Sequence, residues 1–550
     1  MTFHRREMSQ QPPSKLRACA SALIFVLTFV SASFAHADVT FTVNTEADEP
    51  DGTNFDGICE SPHGDCSLRA AIMQANGLTG PRTTHIVLPA GNYTLTRPAV
   101  VFDESVGDLN LESPLSPDQF ISIEGASAAS SVIDADQIDR VMTIERDRVV
   151  TISNVTIRGG YLTSDGGGGI KLDGTLTLQD SIVSGNSSGF GAGISVSRLG
   201  NLDVLRTTFV NNVAATSGGA VFVEGTATFL ETSMTGNSSA KGGAAFISAM
   251  GSTVQGRATF RESSITGNYS GDGGAIYVGA SLELINSTIS GNAAARDGGG
   301  IWNFGQSSIV NSTVSGNTAS RDGGGISNFG QSTVANSTIS GNAANGDGGG
   351  TYNFGQTFVI NSTISGNTTN ANGGGIANED GATWLYNSSI IANDASHDRN
   401  PPGGSGGGLY NKPGKRLVAT NSLIAANTTL DSPIADDCNG VLEVYGWNLL
   451  ADYAGCSFSG NGIGARGLVS TNTIGPLADN GGPTLTHALL AGSEAIDSTT
   501  AQGCVDDNLA LLTTDQRGAP RIAGAKCDVG AYEFGSLVPV TDRIFRNGFD

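Results

Sequence analysis

Four aspartates, Asp272, Asp297, Asp322 and Asp347, recur every 25 residues, each just before a run of glycines. A chain folded on that period stacks them into a column, and stacked like charges repel unless something neutralises them. Arg296 and Arg321 can do so for two. Ca²⁺, which accepts oxygen ligands in flexible geometry, could do so for all four. Asn372 replaces the aspartate in the next repeat and the calcium-binding nonapeptide GGxGxDxUx is absent, so Ca²⁺ is a candidate cofactor and not a requirement. Lys241, Arg257 and Arg261 form a modest basic cluster, the base and acid neutraliser that a polysaccharide lyase would need, although a solvated face explains them better. After the leader, histidine occurs only at His63, His85, His397 and His487, and no Gly-His-Gly or Arg-x-Lys accompanies paired aspartates as in a polygalacturonase-like site. His85 and His487 lie beside apolar residues and read as structural. Thr288, Thr313, Thr338 and Thr363, beside Ser290, Ser315, Ser340 and Ser365, form a last column. Facing outward it would be a flat hydroxyl array able to bind glycans or ice; the bland alternative is ordinary strand surface.

The segments starting at Asn286, Asn311, Asn336 and Asn361 share the pattern NST[IV]SGN, and looser copies start at Asp180, Arg206, Glu231, Glu262, Asn387 and Asn421. A period of this length calls for a solenoid. Short β-branched pieces broken by Gly and Asn, with no helical periodicity, make it an all-β one. The expectation is a right-handed parallel β-helix, each turn holding two or three short strands stacked ~4.8 Å from the next. Ile289, Val314, Ile339 and Ile364 then form an inward aliphatic column. Phe304, Phe329 and Phe354 form an aromatic one, inside or at a corner. Asn286, Asn311, Asn336 and Asn361 are expected to form a ladder in which each amide bonds those above and below. That role competes with glycosylation at the same N-x-S/T triplets. The glycine blocks lack a following Lys-Ser/Thr and read as tight corners.

Arg5, Arg6, Lys15 and Arg17, the apolar run from Leu23 to Val30, and Ala35-His36-Ala37 read as a secretory signal cleaved near Asp38. The run is short for a membrane anchor, and Cys19 precedes it, which disfavours a lipid anchor there. The chain is acidic, with 29 Lys/Arg against 51 Asp/Glu and a net charge of −22, which makes nucleic acid and anionic membranes poor partners. Locality suggests the pairs Cys59–Cys66, Cys438–Cys456 and Cys504–Cys527, although six cysteines allow fifteen pairings and a metal site is the rival reading.

Residues Phe41 to Thr45, Asp51 to Gly57, Cys59 and the stretch CSLRAAI beginning at Cys66, with Ala75-Asn76, resemble the CSLREA-type N-terminal domain of secreted bacterial β-helix proteins. Ala70 stands where that pattern has Glu. Ser67 suits an N-cap, and Leu68, Ala71, Ile72 and Ala75 make one apolar helix face; without the Glu the capping box is lost, a cost of ~0.5–1 kcal/mol. Such a helix would plug the first coil. Ile474 to Leu490, Gly492 to Asp497, Thr514 to Gly518 and Cys527 to Phe534 resemble the choice-of-anchor Q region, which implies a closing cap before a sorting tail. The residues Arg543 to Phe549 resemble short tails of other secreted bacterial proteins.

The organisation expected is a signal peptide at 1–37, a CSLREA-type cap at 38–95, irregular coils at 96–149, β-helix repeats at 150–430, a choice-of-anchor Q-like region at 431–535 and a tail at 536–550. The fold expected is thus an all-β, pectin-lyase-like solenoid with a helix-containing N-terminal cap and a disulfide-containing C-terminal cap. The function expected is binding or adhesion, at a cell surface or outside it, to polysaccharide or another extracellular surface ligand. The alternative is a lyase or glycoside hydrolase acting on an acidic polysaccharide.

Overall fold

A computed structural model describes residues 37–539 apart from residue 54 and residues 99–104, 116–117, 250–254, 396–403, 430–435, 461–465 and 501–502. The leader, His397 and the tail at Arg543 to Phe549 lie outside the described residues.

The chain is an all-β parallel β-helix. One coil shows why. Ile301–Asn303, Gln306–Val310, Thr313–Ser315 and Thr318–Ala319 are four strands separated by corners of only a few residues. Each strand pairs in parallel with its copy in the next coil, Ile301 with Ile326, Gln306 with Gln331, Thr313 with Thr338 and Thr318 with Ala343. We call these positions the first, second, third and fourth sheets. The third runs to 15 strands and the fourth to 10, while Cys438–Tyr445 pairs with both of the first two and joins them into one sheet of 28.

Side chains alternate across each strand. The centre of each third-sheet strand points inward, so Ile289, Val314, Ile339 and Ile364 stack as the sequence predicts, all at 0% exposure. In the first sheet the outer two positions point inward and the central one points outward, where it is partly exposed at Trp302 and Tyr352 and covered at Ser327 and Ala377. One continuous core results, running from Phe41 to Leu450. Truncating one of its isoleucines to alanine should cost about 2–5 kcal/mol.

The corner before the third sheet explains half of the repeated motif. Asn286, Asn311, Asn336 and Asn361 adopt φ of 48, 50, 50 and 52°, and so do the corresponding Asp180, Arg206, Glu231 and Glu262. This is the left-handed region that asparagine tolerates best among residues with a Cβ. The ladder assigned to these asparagines is therefore corrected. Asn361 does donate to Asn336 at 2.7 Å, but the continuous amide ladder lies six residues on, at the motif's second asparagine. Asn292 donates its backbone N–H and its Nδ2 to Oδ1 of Asn317, which repeats both bonds to Asn342, as Asn342 does to Asn367. The ladder runs from Asn186 to Asn427 and ends on the carboxylate of Asp437. Burial pushes the carboxyl of Asp437 up to about 6. The inward-facing second asparagine is shielded from water; the first sits in a turn that steers the chain and, at Asn361, Asn387 and Asn421, also donates to carbonyls of the C-terminal segment.

At the N-terminal end, α1 (Leu68–Gly77) packs Leu68, Ala71, Ile72 and Ala75 against the open end of the core, and Ser67 Oγ accepts from Ala70 N–H at 3.0 Å. The flanking segments are themselves coils, since Val39–Thr42 pairs with Arg82–Leu88, which pairs with Gln119–Gly125. At the other end the chain leaves the coil axis after Leu468 and folds back along the outside of the third sheet. There Ile391, Leu423, Ala425 and Leu449 face outward and bury against Val469, Leu489, Ala495 and Val529. Disulfides join Cys59 to Cys66, Cys438 to Cys456 and Cys504 to Cys527.

Candidate ligand-binding face

The returning C-terminal segment decides which sheet face is available. Thr338 Oγ1 donates to Leu485 O at 2.6 Å, Thr363 Oγ1 donates to Gln516 Oε1 at 2.6 Å, and Ser365 Oγ lies 2.8 Å from His487 Nε2. Thr338 and Thr363 are fully buried, whereas Thr288 and Thr313 are partly exposed. The threonine column is therefore not one flat hydroxyl array. Its C-terminal half is the bed of the cap.

The first sheet presents something the sequence reading did not single out. Its outward central positions are in register through Phe222, Phe246, Tyr277, Trp302, Ser327 and Tyr352. Ring centroids are 5.3 Å apart from Phe222 to Phe246, 4.5 Å from Phe246 to Tyr277 and 5.0 Å from Tyr277 to Trp302. The corner phenylalanines run alongside, stacked at 4.8 Å from Phe304 to Phe329 and 5.3 Å from Phe329 to Phe354. Phe304 is 45% exposed and Phe354 is 41% exposed, which places the phenylalanine column on the outer corner. The two columns meet edge-on at Trp302 and Phe304, 4.8 Å apart. Such contacts contribute ~0.5–1.5 kcal/mol each beyond burial, so part of the track is structural. The signal was present in the sequence as an aromatic two residues beyond each glycine or alanine that closes a glycine block, at Tyr277, Trp302 and Tyr352.

The aspartate column borders this track. Asp272 and Asp297 are buried and are gripped by Arg296 and Arg321, the latter with Nη2 2.6 Å from Asp297 Oδ2. Successive rungs also share backbone bonds. Asp297 Oδ1 accepts from Asp322 N–H, Asp322 Oδ1 from Asp347 N–H at 2.8 Å, and Asp347 Oδ1 from Asn372 N–H at 2.9 Å. Among the described residues no three of His, Cys, Asp and Glu gather as a metal centre would need. Arginine offsets Asp272 and Asp297, and backbone N–H groups bond Asp297, Asp322 and Asp347. Burial, then Asp297 and Asp347, pushes the carboxyl of Asp322 up. Burial and a set of carboxylates led by Asp322 push the Tyr352 hydroxyl far above its ordinary value.

The basic cluster does not assemble as one site. Arg257 and Arg261 both approach Glu283 from the second sheet, at 3.6 and 3.9 Å, and stay largely exposed. Lys241 Nζ instead lies 5.5 Å from the centroid of the Tyr277 ring, on the aromatic track. Of the histidines, His63 is at the surface, 2.7 Å from Glu49 Oε2, and His487 is locked in the cap. Near the N-terminal end of the first sheet, Lys171, Arg146, Arg198, Glu145, Asp173 and Glu224 line an open depression of about 680 Å³.

A model of the Chlamydia polymorphic membrane protein repeat matches residues 206–224, which is less than one coil. No curated protein matches the chain. Among solved structures, the chain is similar to pectate lyase Pel9A, at 14% identity over 91% of this chain and 96% of that one, with a TM-score of 0.31. It is also similar to the PL6 family alginate lyase AlyGC, at 12% identity over 82% of this chain and 55% of that one, with a TM-score of 0.35.

Proposed function

We propose that the protein is an exported β-helix that binds glycan chains along its first sheet and does not cleave them. The observation that carries this reading is the track from Phe222 to Tyr352, whose rings recur with the coil spacing. Phe222, Phe246 and Tyr277 stack face to face along the coils and leave their edges to a ligand, whereas Trp302 stands at 88° to Tyr277 and is the ring on which the partly positive C–H face of a pyranose would pack. A row of rings about one coil apart suits a ligand that is itself a row of sugars. Three disulfides support an oxidising compartment, and among the described residues no helix is long and apolar enough to cross a membrane. The resemblances to a CSLREA-type domain and a choice-of-anchor Q region, with the expected leader, support a location at or beyond the cell surface.

The test is a glycan-array screen followed by titration of the best ligand, alongside incubation with pectate, alginate and neutral glycans with and without Ca²⁺. Saturable binding that falls about three- to tenfold in Tyr277→Ala and in Trp302→Ala supports the proposal. Unsaturated products or new reducing ends, abolished by Lys241→Ala or Arg261→Ala, would replace it with the lyase or hydrolase reading.

A further inference from the structure

The block Phe-Gly-Gln repeats unchanged at residues 304–306, 329–331 and 354–356. Its phenylalanines stack on one another, and a side chain in place of Gly305, Gly330 or Gly355 would run into a backbone carbonyl of the coil before. Packing therefore accounts for the first two residues of the block. It does not account for the third. Gln306, Gln331 and Gln356 open the second-sheet strands of three successive coils, in register and exposed, and among the described residues their side-chain amides make no hydrogen bond. Each amide offers two donors and an acceptor to solvent.

Beside this row an aromatic ring stands on end. Phe358 and Trp384 are in register at the central outward position of their strands and stack at 4.6 Å and 5°. Rings stacked at the rung spacing of ~4.8 Å turn their faces along the coil axis. The far face of Trp384 is taken by Arg416, whose Cζ lies 5.8 Å from the ring centroid and whose Nε is held by Glu443 at 2.8 Å. The other face of Phe358 looks over Thr333 and then Ser308, its register partners in the two coils before, both partly exposed. Side chains that short leave the outer part of the face open. The next long side chain in the column is Glu283, three rungs from Phe358 and thus ~14 Å away. The space between is a ledge open to solvent, floored by hydroxyls, flanked by amides and ended by an aromatic face.

The ledge carries no charge. The strands Gln306–Val310, Gln331–Ala335, Gln356–Ile360 and Ala382–Tyr386 contain no acidic or basic residue, in a chain whose net charge is −22. Charges resume at either end, at Glu283 with Arg257 and Arg261 and at Arg416 with Glu443, each set paired within the protein. Amides and hydroxyls bond sugar hydroxyls, and the open ring face packs on the C–H face of a pyranose. Nothing on the ledge offsets the dehydration of a carboxylate, sulfate or ammonium group.

We infer that the ledge is a second glycan site, specific for a neutral pyranose. The sugar stands face to face with Phe358 above Thr333, and Gln331 and Gln356 bond the hydroxyls along its edge. The site lies round the Phe304 corner from the aromatic track and rests on observations separate from it.

The full chain is titrated by calorimetry with oligomers of glucose, xylose, galacturonate and glucosamine. The expected result is that a neutral oligomer binds at least tenfold tighter than either charged one, with an affinity that added salt does not change. Gln331→Ala combined with Gln356→Ala should weaken that binding at least tenfold and Phe358→Ala about three- to tenfold. The glutamines are exposed, so an unchanged thermal midpoint establishes that their double variant is folded. Trp302→Ala, which disables the first-sheet track, should leave the ledge affinity in place. Equal or tighter binding of a charged oligomer, or neutral binding that survives the glutamine double variant, would overturn the ledge while leaving the first-sheet reading standing. Binding lost in the glutamine double variant and kept in Trp302→Ala supports the ledge and counts against the first sheet. No binding of any of the four oligomers would overturn the ledge.

Discussion

Oδ1 of Asn317 accepts the backbone N–H of Asn292 at 3.0 Å and its Nδ2 at 2.9 Å, inside a core where both residues have no exposure. Asn317→Ala leaves the backbone N–H of Asn292 without its acceptor, takes a bond from the Ile289 carbonyl, and leaves Asn292 Nδ2 with only the Ile265 and Ser290 carbonyls. Each buried orphan costs ~1–3 kcal/mol, so the variant should lose about 3 kcal/mol or more. Asn311→Ala, at the exposed-side corner of the same motif, forces an alanine into the left-handed region and should lose only about 1–2 kcal/mol. Asn311→Gly should be nearly neutral. Equilibrium denaturation of the three variants ranks them. A corner substitution costing more than the ladder substitution would contradict the assignment of roles.

One amide of the C-terminal cap, that of Gln516, bridges two rungs of the third sheet. Gln516 Nε2 donates to Thr338 Oγ1 and to Thr484 Oγ1, both at 2.9 Å, while its Oε1 accepts from Thr363. Gln516→Ala removes these bonds and a fourth, to Leu485 O at 3.1 Å, in a buried setting, and the expected consequence is local loosening rather than global unfolding. Amide hydrogen exchange should speed up in 474–490 and in the strands at Thr338–Ser340 and Thr363–Ser365. The strands at Thr288–Ser290 and Thr313–Ser315 should stay protected. Uniform exchange throughout would show that the cap is not an independent unit.

The sequence discloses the solenoid because each residue lies on its own copy 25 positions away, so the period alone yields the Ile289 column. It does not say which way a column faces. Both asparagines of the motif repeat with the same period, and only the looser coils separate them. The first position becomes Asp180, Arg206, Glu231 and Glu262, any polar residue that the corner admits, while the second stays Asn186, Asn212, Asn237 and Asn268. The cap's docking is harder to read. Thr338 and Gln516 are 178 residues apart, and nothing periodic connects them. Its trace is the change of outward residues on the third sheet from Thr and Ser to Ile391, Leu423 and Leu449. Burial of that apolar face is what a solvent-exposed strand would not need. The aromatic track was half legible, since the glycine-block phenylalanines repeat strictly while Tyr277, Trp302 and Tyr352 share only their aromatic character.

The buried His487 makes cap docking sensitive to acid. Its Nδ1 donates to Gly475 O at 2.8 Å and its Nε2 faces Ser365, and burial holds its pKa below the ordinary 6.5. A depressed pKa means the unfolded chain binds the proton more readily, so this contribution is fully present above pH 6.5 and is lost as pH falls towards the depressed value. Glu533, also in the cap, is pushed up to about 7, chiefly by burial, and has the opposite sign, losing its contribution as pH rises from 4.5 towards 7. The two partly cancel in the native protein. His487→Gln removes only the first, so the midpoint of cap unfolding should shift in favour of the acid side relative to native between pH 5 and 7, values bracketed by the ordinary histidine pKa. Parallel profiles for the two proteins would exclude the histidine as the source of acid sensitivity.

At the opposite end, Arg69 and Asp48 form an ion pair at 2.6 Å, each side chain only 2% exposed. The guanidinium also donates to the carbonyls of Asp108 and Gly107, and Asp48 accepts from Thr96 N–H at 2.8 Å. These bonds tie α1 to coils that lie far along the chain, so they hold the plug in place. Removing one partner leaves the other charged and buried, which typically costs ~3–5 kcal/mol. Arg69→Ala should therefore detach α1 and expose the end of the core, read as dye binding to apolar surface and as self-association at rising concentration. Arg69→Ala combined with Asp48→Ala leaves no orphaned charge and should recover part of the loss. The pairing predicts that recovery. If the double variant is as unstable as the sum of the two single ones, the two residues act independently and the plug is held by its apolar face alone.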